Sequence, residues 1–228
     1  MSKTTGRQRA ATHIYPRVAV DAVLFTINHG ELRTLLIKIK QGVFADRWAF
    51  PGGLVQGRES LDEAAQRELY EKTGVRDLYL EQLYTFGDAE RDPSARTVAV
   101  SYFALVPPLD HAPQRGEKYA DINWFPVHTL PELAYDHSAI AAYALERLQT
   151  KLIYTNIVYS LLSREFTLAE LQEIYEIILG RSLDRRNFRR KILSSRLLKP
   201  LSKTKRGAHR PAQLYAFTRR RPMNLDIL

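Results

Sequence analysis

Two kinds of apolar pattern divide the chain, one from about residue 17 to residue 150 and one after it. In the first region, β-rich runs at 18–25, 35–39, 78–86, 97–106 and 122–125 predict strands, and His29-Gly30-Glu31 predicts the turn between the first two. Segments 61–73 and 138–148 have helical periodicity. Strands with interspersed helices predict an α/β (α+β) sandwich of a mixed sheet and helices.

After residue 150 the pattern changes to three short helices followed by two strand-like pieces. Segment 152–162 is the predicted first helix, and Thr167 caps a second whose apolar positions recur at helical spacing until Gly180 ends it. Asp184 is the predicted N-cap of the third helix. We therefore expect a flexible basic tail at 1–12, a first domain at 13–150 and a second domain at 151–228.

Charge separates the two predicted domains. Of the 34 basic and 25 acidic residues in the chain, 17 and 6 lie in 151–228, so this segment carries +11 and the remainder carries −2. A small domain this basic has the electrostatic character expected for binding a phosphate backbone, although a solvated basic face is the plainer alternative.

Composition excludes several classes of site. The chain has no cysteine, which excludes disulfides, thiolate nucleophiles and cysteine-ligated zinc. No window approaches the roughly 20 apolar residues that span a bilayer, and no signal-peptide stretch is present near residue 1. We expect a soluble, cytoplasmic protein that does not contact a membrane.

Segment 53–75 carries a motif with many fixed positions. Its elements are Gly53, Glu59, Arg67-Glu68-Leu69, Glu71 and Gly74-Val75, and Trp48-Ala-Phe-Pro51-Gly52 precedes it. Ser60 and Glu63 form a predicted capping box, and Gly74 stands where a left-handed residue ends a helix. The segment resembles the Nudix hydrolase signature, which implies the Nudix sandwich fold.

One position of this motif departs from the Nudix pattern. Glu68, Glu71 and position 72 are spaced i, i+3 and i+4, which predicts one helix face able to chelate Mg²⁺. Position 72 is lysine where the family has a metal-binding glutamate, so we expect no metal, no catalytic residue and no useful hydrolysis here. Lys72 would instead pair with Glu68 or attract a nucleotide phosphate directly, or the motif would serve only as a scaffold.

Segments 80–102 and 133–137 narrow the resemblance to the Nudix-related transcriptional regulators of NAD metabolism, the NrtR type. That resemblance implies an ADP-ribose-like effector, no required cofactor, and Mg²⁺ only if residual hydrolysis exists. The implied effector-binding residues are Lys40, Trp48, Phe50, Gly52, Gly53, Arg91, Arg96 and Tyr102. Plainer roles compete: Trp48 and Phe50 as core residues, Arg91 pairing with Asp92, Asp136 as a helix cap and His137 as a helix start.

The third C-terminal helix has cationic faces around a predicted apolar face of Phe188, Ile192 and Leu193, and two apolar pieces around a basic Gly/Pro tip follow it. This order of elements predicts a winged helix-turn-helix whose third helix enters a major groove. Arg219-Arg220-Arg221 are candidates for additional phosphate contacts. The candidate DNA-binding residues are Arg185, Arg186, Asn187, Arg189, Arg190, Lys191, Lys205, Arg206 and Arg210.

These features favour a repressor, acting as a homodimer on a palindromic operator of double-stranded DNA and controlled by a nucleotide such as ADP-ribose. The alternatives are a Mg²⁺-dependent ADP-ribose pyrophosphatase with an accessory basic domain, or a bifunctional protein with residual hydrolysis. Lys72 is the residue that discriminates among them.

Overall fold

The N-terminal half of the chain is built around one mixed β-sheet. The computed structural model describes residues 14–74, 78–107, 119–206 and 211–223. The strands of the sheet are β1 (Arg17–Asn28), β2 (Glu31–Ile39), β3 (Trp48–Ala49), β4 (Gly52–Leu54), β5 (Glu81–Phe86), β6 (Thr97–Leu105) and β7 (Tyr119–Pro126). The expected tail at 1–12 lies outside the described residues.

Strand β1 is the centre of the sheet. It pairs in parallel with β6 and antiparallel with β2 and with the short β4, while β5 lies beyond β6 and both β3 and β7 pair with β2. The hairpin between β1 and β2 turns at His29 and Gly30, both with positive φ, as the sequence predicted.

Helices cover both faces of the sheet. Val20 and Leu24 of β1 pack with apolar residues of α1 (Leu61–Thr73), and Val23 and Phe25 pack in the cluster that contains α2 (His137–Tyr154). Residues 19–26 of β1 are therefore buried on both sides. The predicted sandwich is confirmed, and the very short β3 and β4 are additions that no apolar run indicated.

The ends of α1 are those that the sequence predicts. The Ser60 hydroxyl accepts a hydrogen bond from the Glu63 backbone N–H, and the Glu63 carboxylate accepts one from the Ser60 backbone N–H. Gly74 closes the helix at φ 72°, where a residue with a Cβ would be strained.

The C-terminal unit has winged-helix architecture. It contains a short 3₁₀ helix at Ile157–Ser160, β8 (Phe166–Thr167), α3 (Leu168–Leu179), α4 (Arg185–Ser194), β9 (Leu198–Lys205) and β10 (Ala212–Phe217). The last two strands form the predicted hairpin, and β8 adds a third strand to it in the order β8-β10-β9. Thr167, Gly180 and Asp184 cap α3 and α4 as expected.

The predicted first helix at 152–162 is wrong. Helix α2 continues to Tyr154, Thr155 is extended, and a separate 3₁₀ helix begins at Ile157. Buried Asn156 makes this break, since its side chain binds the backbone carbonyls of Arg219 and Arg221 and the N–H of Met223. These contacts anchor residues 218–223, which follow the hairpin of β9 and β10; this hairpin is the wing.

Helix α2 joins the two units. Residue 150 lies inside it, and one apolar cluster extends from the sheet through Leu148 and Leu152 to Tyr175 of α3 and Phe188 of α4. The Gln149 side chain donates to the carbonyl of Ile178, which fixes α2 against α3. Within the described ranges, no helix has the length and apolarity needed to cross a bilayer.

Candidate functional site

A cleft of about 320 Å³ opens at one end of β1. It is lined by the first residues of β1, by residues of β2, β3 and β4, by Lys72 of α1, by the loop that leads into β6, by the first residue of β7 and by residues at the start of α2. The lining residues are Arg17, Ala19, Asp21, Ile37, Ile39, Ala49, Phe50, Gly52, Gly53, Leu54, Lys72, Arg91, Asp92, Ser94, Thr97, Tyr119, Tyr135 and His137. This volume lies at the lower end of the range of small-molecule sites, about 300–1,000 Å³.

Two glycines allow the backbone of β4 to lie close to charged side chains. A Cβ on Gly52 would overlap the Asp21 carboxylate and the Val20 carbonyl, and a Cβ on Gly53 would overlap the Glu68 carboxylate. A larger residue at position 52 would press on the backbone of β1, whereas one at position 53 would displace the Glu68 carboxylate from its partners Arg67 and Lys72.

A series of ion pairs connects charged side chains on α1 and just before it. Arg67 binds both carboxylate oxygens of Glu59 at 2.7 and 2.8 Å and one oxygen of Glu68 at 2.7 Å. The hydrogen bonds that Glu59 accepts from Arg67, and one from the Gln56 backbone N–H, lower the pKa of Glu59 to about 2. Lys72 Nζ lies 2.8 Å from Glu68 Oε2. Burial alone would raise the pKa of Glu68, but Lys72 and Arg67 outweigh it and hold this pKa below its ordinary value.

Glu68 and Lys72 share the buried face of α1, and Glu71 does not. The side chain of Lys72 is 8% exposed, whereas that of Glu71 is 46% exposed and lies 3.7 Å from Arg67. The prediction that all three positions form one chelating face is therefore wrong for Glu71. The sheet covers the side of the helix that carries Ala65, Glu68 and Lys72, so Glu71 falls towards solvent.

A second charged network closes the base of the cleft. Arg91 is buried and binds Asp136 through two hydrogen bonds of 2.6 and 2.9 Å, with Asp21 at 3.6 Å. Burial acts to lower the pKa of Arg91, but these carboxylates raise it. The anticipated pairing with Asp92 is replaced by Asp136, which makes no side-chain cap to α2.

His137 is the first residue of α2 and is buried beside this network. Its Nδ1 accepts a hydrogen bond of 2.9 Å from the Phe50 backbone N–H, and its Nε2 lies 3.6 Å from Asp21. Since Nδ1 is an acceptor, the neutral ring carries its proton on Nε2. Burial lowers the pKa of His137, which favours this neutral form.

The structure brings only some of the expected effector residues to the cleft. Phe50, Gly52, Gly53 and Arg91 line it. The other four are not among the lining residues. Lys40 is exposed after β2, and Trp48 packs edge-on against Phe125. Arg96 donates to the carbonyls of Gly87 and Asp88, and Tyr102 donates to Asp62 from the α1 side of β6.

Sequence reasoning missed several cleft residues. Asp21 is a carboxylate inside an otherwise apolar strand, and that contrast was an available signal. Tyr119 and Tyr135 line the cleft without any local sequence signal. In the structure Tyr135 has φ 53°, a conformation that costs energy in a residue with a Cβ and that is enriched at functional sites.

The basic face of the C-terminal unit is concentrated on α4. Phe188 and Ile192 are buried against α3, while Leu193 is 36% exposed, so the predicted apolar face holds for two of its three residues. The exposed cationic and amide side chains of α4 are Arg185, Arg186, Asn187, Arg189, Arg190 and Lys191. Asn187 accepts a hydrogen bond of 2.8 Å from Arg190, which orders both side chains on the surface.

The wing extends this face. Lys205 pairs with Glu170 at 2.7 Å and Arg206 is exposed, whereas Arg210 lies outside the described residues. Arg220 differs from the sequence expectation of a phosphate contact, since its guanidinium donates to the carbonyls of Leu162 and Ser163 and so holds the post-wing segment in place.

Two domain families match the chain in succession. The NUDIX domain matches residues 15–148, and the NrtR DNA-binding winged helix domain matches residues 158–217. The ADPR-responsive transcriptional repressor NtrR of Acinetobacter baylyi is 38% identical over 206 residues, which cover 89% of this chain and 82% of that protein.

Solved structures extend the similarity over both units. Shewanella oneidensis NrtR complexed with a 27mer DNA is 36% identical, with a TM-score of 0.75 over 88% of this chain and 93% of that chain. The NUDIX domain of the same protein, in a cocrystal structure with ADP-ribose, is 35% identical, with a TM-score of 0.54 over 62% of this chain and 94% of that chain.

Proposed function

Because the chain belongs to the NrtR family, in which a NUDIX domain is joined to a winged helix, we propose that it is a transcriptional repressor responsive to ADP-ribose. Its targets are genes of NAD or related cofactor metabolism. One observation carries the proposal: the unit that holds the cleft and the basic helix α4, the expected recognition helix, share an apolar core through helix α2.

The effector is ADP-ribose or a close relative, bound in the cleft. Lys72 and Arg17 supply cationic side chains for the diphosphate, whereas Arg91 is already engaged by Asp136. Tyr119 and Tyr135 supply aromatic surface for the base or a ribose, in place of Trp48 and Tyr102.

The DNA surface is α4 with the wing. Arginine and asparagine side chains match the edges of guanine and adenine in the major groove, and the surrounding cations contact phosphates. We further propose that two copies bind a palindromic operator, since a two-fold protein matches a two-fold site on DNA.

Control of DNA binding requires that ADP-ribose bind more tightly to one arrangement of the two α4 helices of the proposed dimer than to another. Asp136 immediately precedes α2 and holds the buried Arg91 of the cleft, while the other end of α2 leads into the winged helix. A ligand that alters the Arg91 contacts therefore acts directly on the helix that both units share.

Fluorescence anisotropy with labelled operator DNA tests this function. We expect ADP-ribose to change the operator affinity of the full chain with saturation, and ribose 5-phosphate at the same concentrations to have little effect. Operator binding that stays constant across a wide range of ADP-ribose concentrations would remove ADP-ribose as the effector.

Hydrolysis of ADP-ribose is the second candidate function, because residues 15–148 match the NUDIX domain and contain the cleft. We propose that it is lost, since Lys72 occupies the place of a metal-binding glutamate and neutralises Glu68. Release of AMP from ADP-ribose at an ordinary enzymatic rate with Mg²⁺ would overturn this, and activity gained in Lys72→Glu would support it.

A further inference from the structure

Helix α1 does not offer a divalent ion the oxygen ligands that such an ion requires. The Glu68 carboxylate already accepts a hydrogen bond from Arg67 and lies 2.8 Å from Lys72 Nζ, and Glu71 faces solvent. Throughout the described residues, no three His, Asp or Glu side chains group closely enough to hold a metal ion. Proteins usually bind Mg²⁺ through one or two free carboxylates together with substrate phosphates, and the cations on Glu68 leave no such carboxylate on this face of α1, so the residues present do not fit Mg²⁺.

The ammonium group of Lys72 occupies the neighbourhood of Glu68 that a bridging cation would require. Its side chain is almost fully buried yet lines the cleft, and Nζ lies 5.1 Å from the centre of the Tyr119 ring. An ammonium has three N–H donors. The Glu68 carboxylate binds one side of the ammonium and the Tyr119 ring lies near it, and because Lys72 lines the cleft, we expect an N–H to remain for a ligand there.

From this arrangement we propose that Lys72 replaces the divalent ion as the cation that holds a nucleotide diphosphate, so that the cleft binds its ligand without metal. The proposal rests on the function given above only for the identity of that nucleotide. It assigns Lys72 a binding role in addition to the loss of hydrolysis.

The charges around Lys72 allow it to serve a second anion. Glu68 divides its interaction between Arg67 and Lys72, so it does not fully neutralise the ammonium. Arg17 adds an exposed cation at the edge of the same cleft. Charge-assisted hydrogen bonds from a largely desolvated lysine to phosphate oxygens are among the stronger polar contacts in proteins.

A lysine differs from a metal ion in what it does to the bound ligand. It supplies a fixed positive charge but does not generate a hydroxide nucleophile at neutral pH. A regulator with this residue would hold the nucleotide and release it intact, and its response would be independent of the concentration of free Mg²⁺.

Isothermal titration calorimetry of the full chain tests the proposal with ADP-ribose, ADP and AMP, each in EDTA and in millimolar Mg²⁺. For the unmodified protein we expect equal affinity for ADP-ribose in the two buffers. We expect Lys72→Met to lose about tenfold to a hundredfold in affinity for both diphosphates and much less for AMP, and Lys72→Arg to recover part of the loss.

Lys151→Met is the matched control. Lys151 is also a lysine of low exposure, 11%, and it lies 2.8 Å from Glu81, but it is outside the cleft lining. We expect this variant to bind both diphosphates like the unmodified protein. Thermal unfolding of each variant reports separately on loss of the fold.

Two results would overturn the inference: ADP-ribose or ADP binding that requires Mg²⁺, or unchanged diphosphate affinity in folded Lys72→Met. Failure of the effector assignment gives a different pattern. In that case ADP-ribose does not bind, whereas ADP still binds in EDTA and depends on Lys72.

Discussion

Removing Asp136 should destabilise the protein far more than its position at the edge of a helix suggests. Its carboxylate receives two hydrogen bonds, from Nε and from a terminal nitrogen of Arg91, at 2.9 and 2.6 Å. The Arg91 side chain is only 3% exposed. In Asp136→Ala the guanidinium stays buried, with Asp21 at 3.6 Å and the more weakly acting Asp92 as its remaining counter-charges.

Breaking a buried ion pair from one side costs about 3–5 kcal/mol, because the other charge is left without compensation. Asp136 is 19% exposed and Asp21 remains near, so we expect the lower end, about 3 kcal/mol. For a chain of this size each kcal/mol lowers the melting temperature by about 2–4 °C, which gives a decrease of about 6–12 °C.

Thermal and urea unfolding followed by circular dichroism measure this effect. Glu132→Ala is the control, because its partner Arg47 and Glu132 itself are both exposed and such pairs contribute about 0–1 kcal/mol. The double variant Arg91→Met, Asp136→Ala should recover part of the loss, since no charge then remains buried at Arg91. If Asp136→Ala costs no more than Glu132→Ala, the reasoning from burial is wrong.

Three further outcomes follow from the structure. Gly53→Ala should cost about 1–3 kcal/mol in urea unfolding because its Cβ would overlap the carboxylate of Glu68, while Gly57→Ala, with open space around it, should be neutral or slightly stabilising. Burial lowers the pKa of His137, so the unfolded state takes up its proton first and stability should fall as pH drops through about 6.5; His137→Asn should flatten that part of the stability curve, and a parallel curve would contradict this. Arg186→Ala should weaken operator binding by about 1–3 kcal/mol in anisotropy titrations without changing ADP-ribose affinity, and an unchanged operator affinity would exclude Arg186 from the DNA surface.

The elements that the sequence predicts well are those whose ends are satisfied locally. Ser60 with Glu63 and Thr167 with Glu170 complete their capping boxes within one turn, so neighbouring residues determine where α1 and α3 begin. The helix predicted at 152–162 failed for the opposite reason. Asn156 interrupts it through partners 63–67 residues away, and no local pattern contains that information.

The cleft shows the same division between local and distant information. Its glycines and Lys72 belong to a contiguous motif and were found from the sequence. The contact between the Phe50 N–H and His137 joins residues 87 positions apart, and the placement of Tyr102 depends on which face of β6 meets α1. Sequence predicted cationic and aromatic candidates for the cleft, but which of them line it depends on how distant strands pair, as the parallel register of β1 and β6 illustrates.

The ion pairs on one side of the cleft join neighbouring residues, and those on the other side join distant segments. We propose that the second kind transmits ligand binding to the winged helix. On the α1 side, Arg67 pairs with Glu59, just before the helix, and with Glu68, while Lys72 also pairs with Glu68, so the charged groups around Lys72 belong to one local segment. On the other side, Arg91 comes from the loop before β6 and Asp136 immediately precedes α2, so their ion pair joins the cleft to the first residues of α2. We expect a ligand held by Lys72 to act on α2 where it alters the contact of Arg91 with Asp136. Since α2 packs against α3, and α3 packs against the basic helix α4, we propose that nucleotide binding acts on the proposed DNA surface through this side of the cleft.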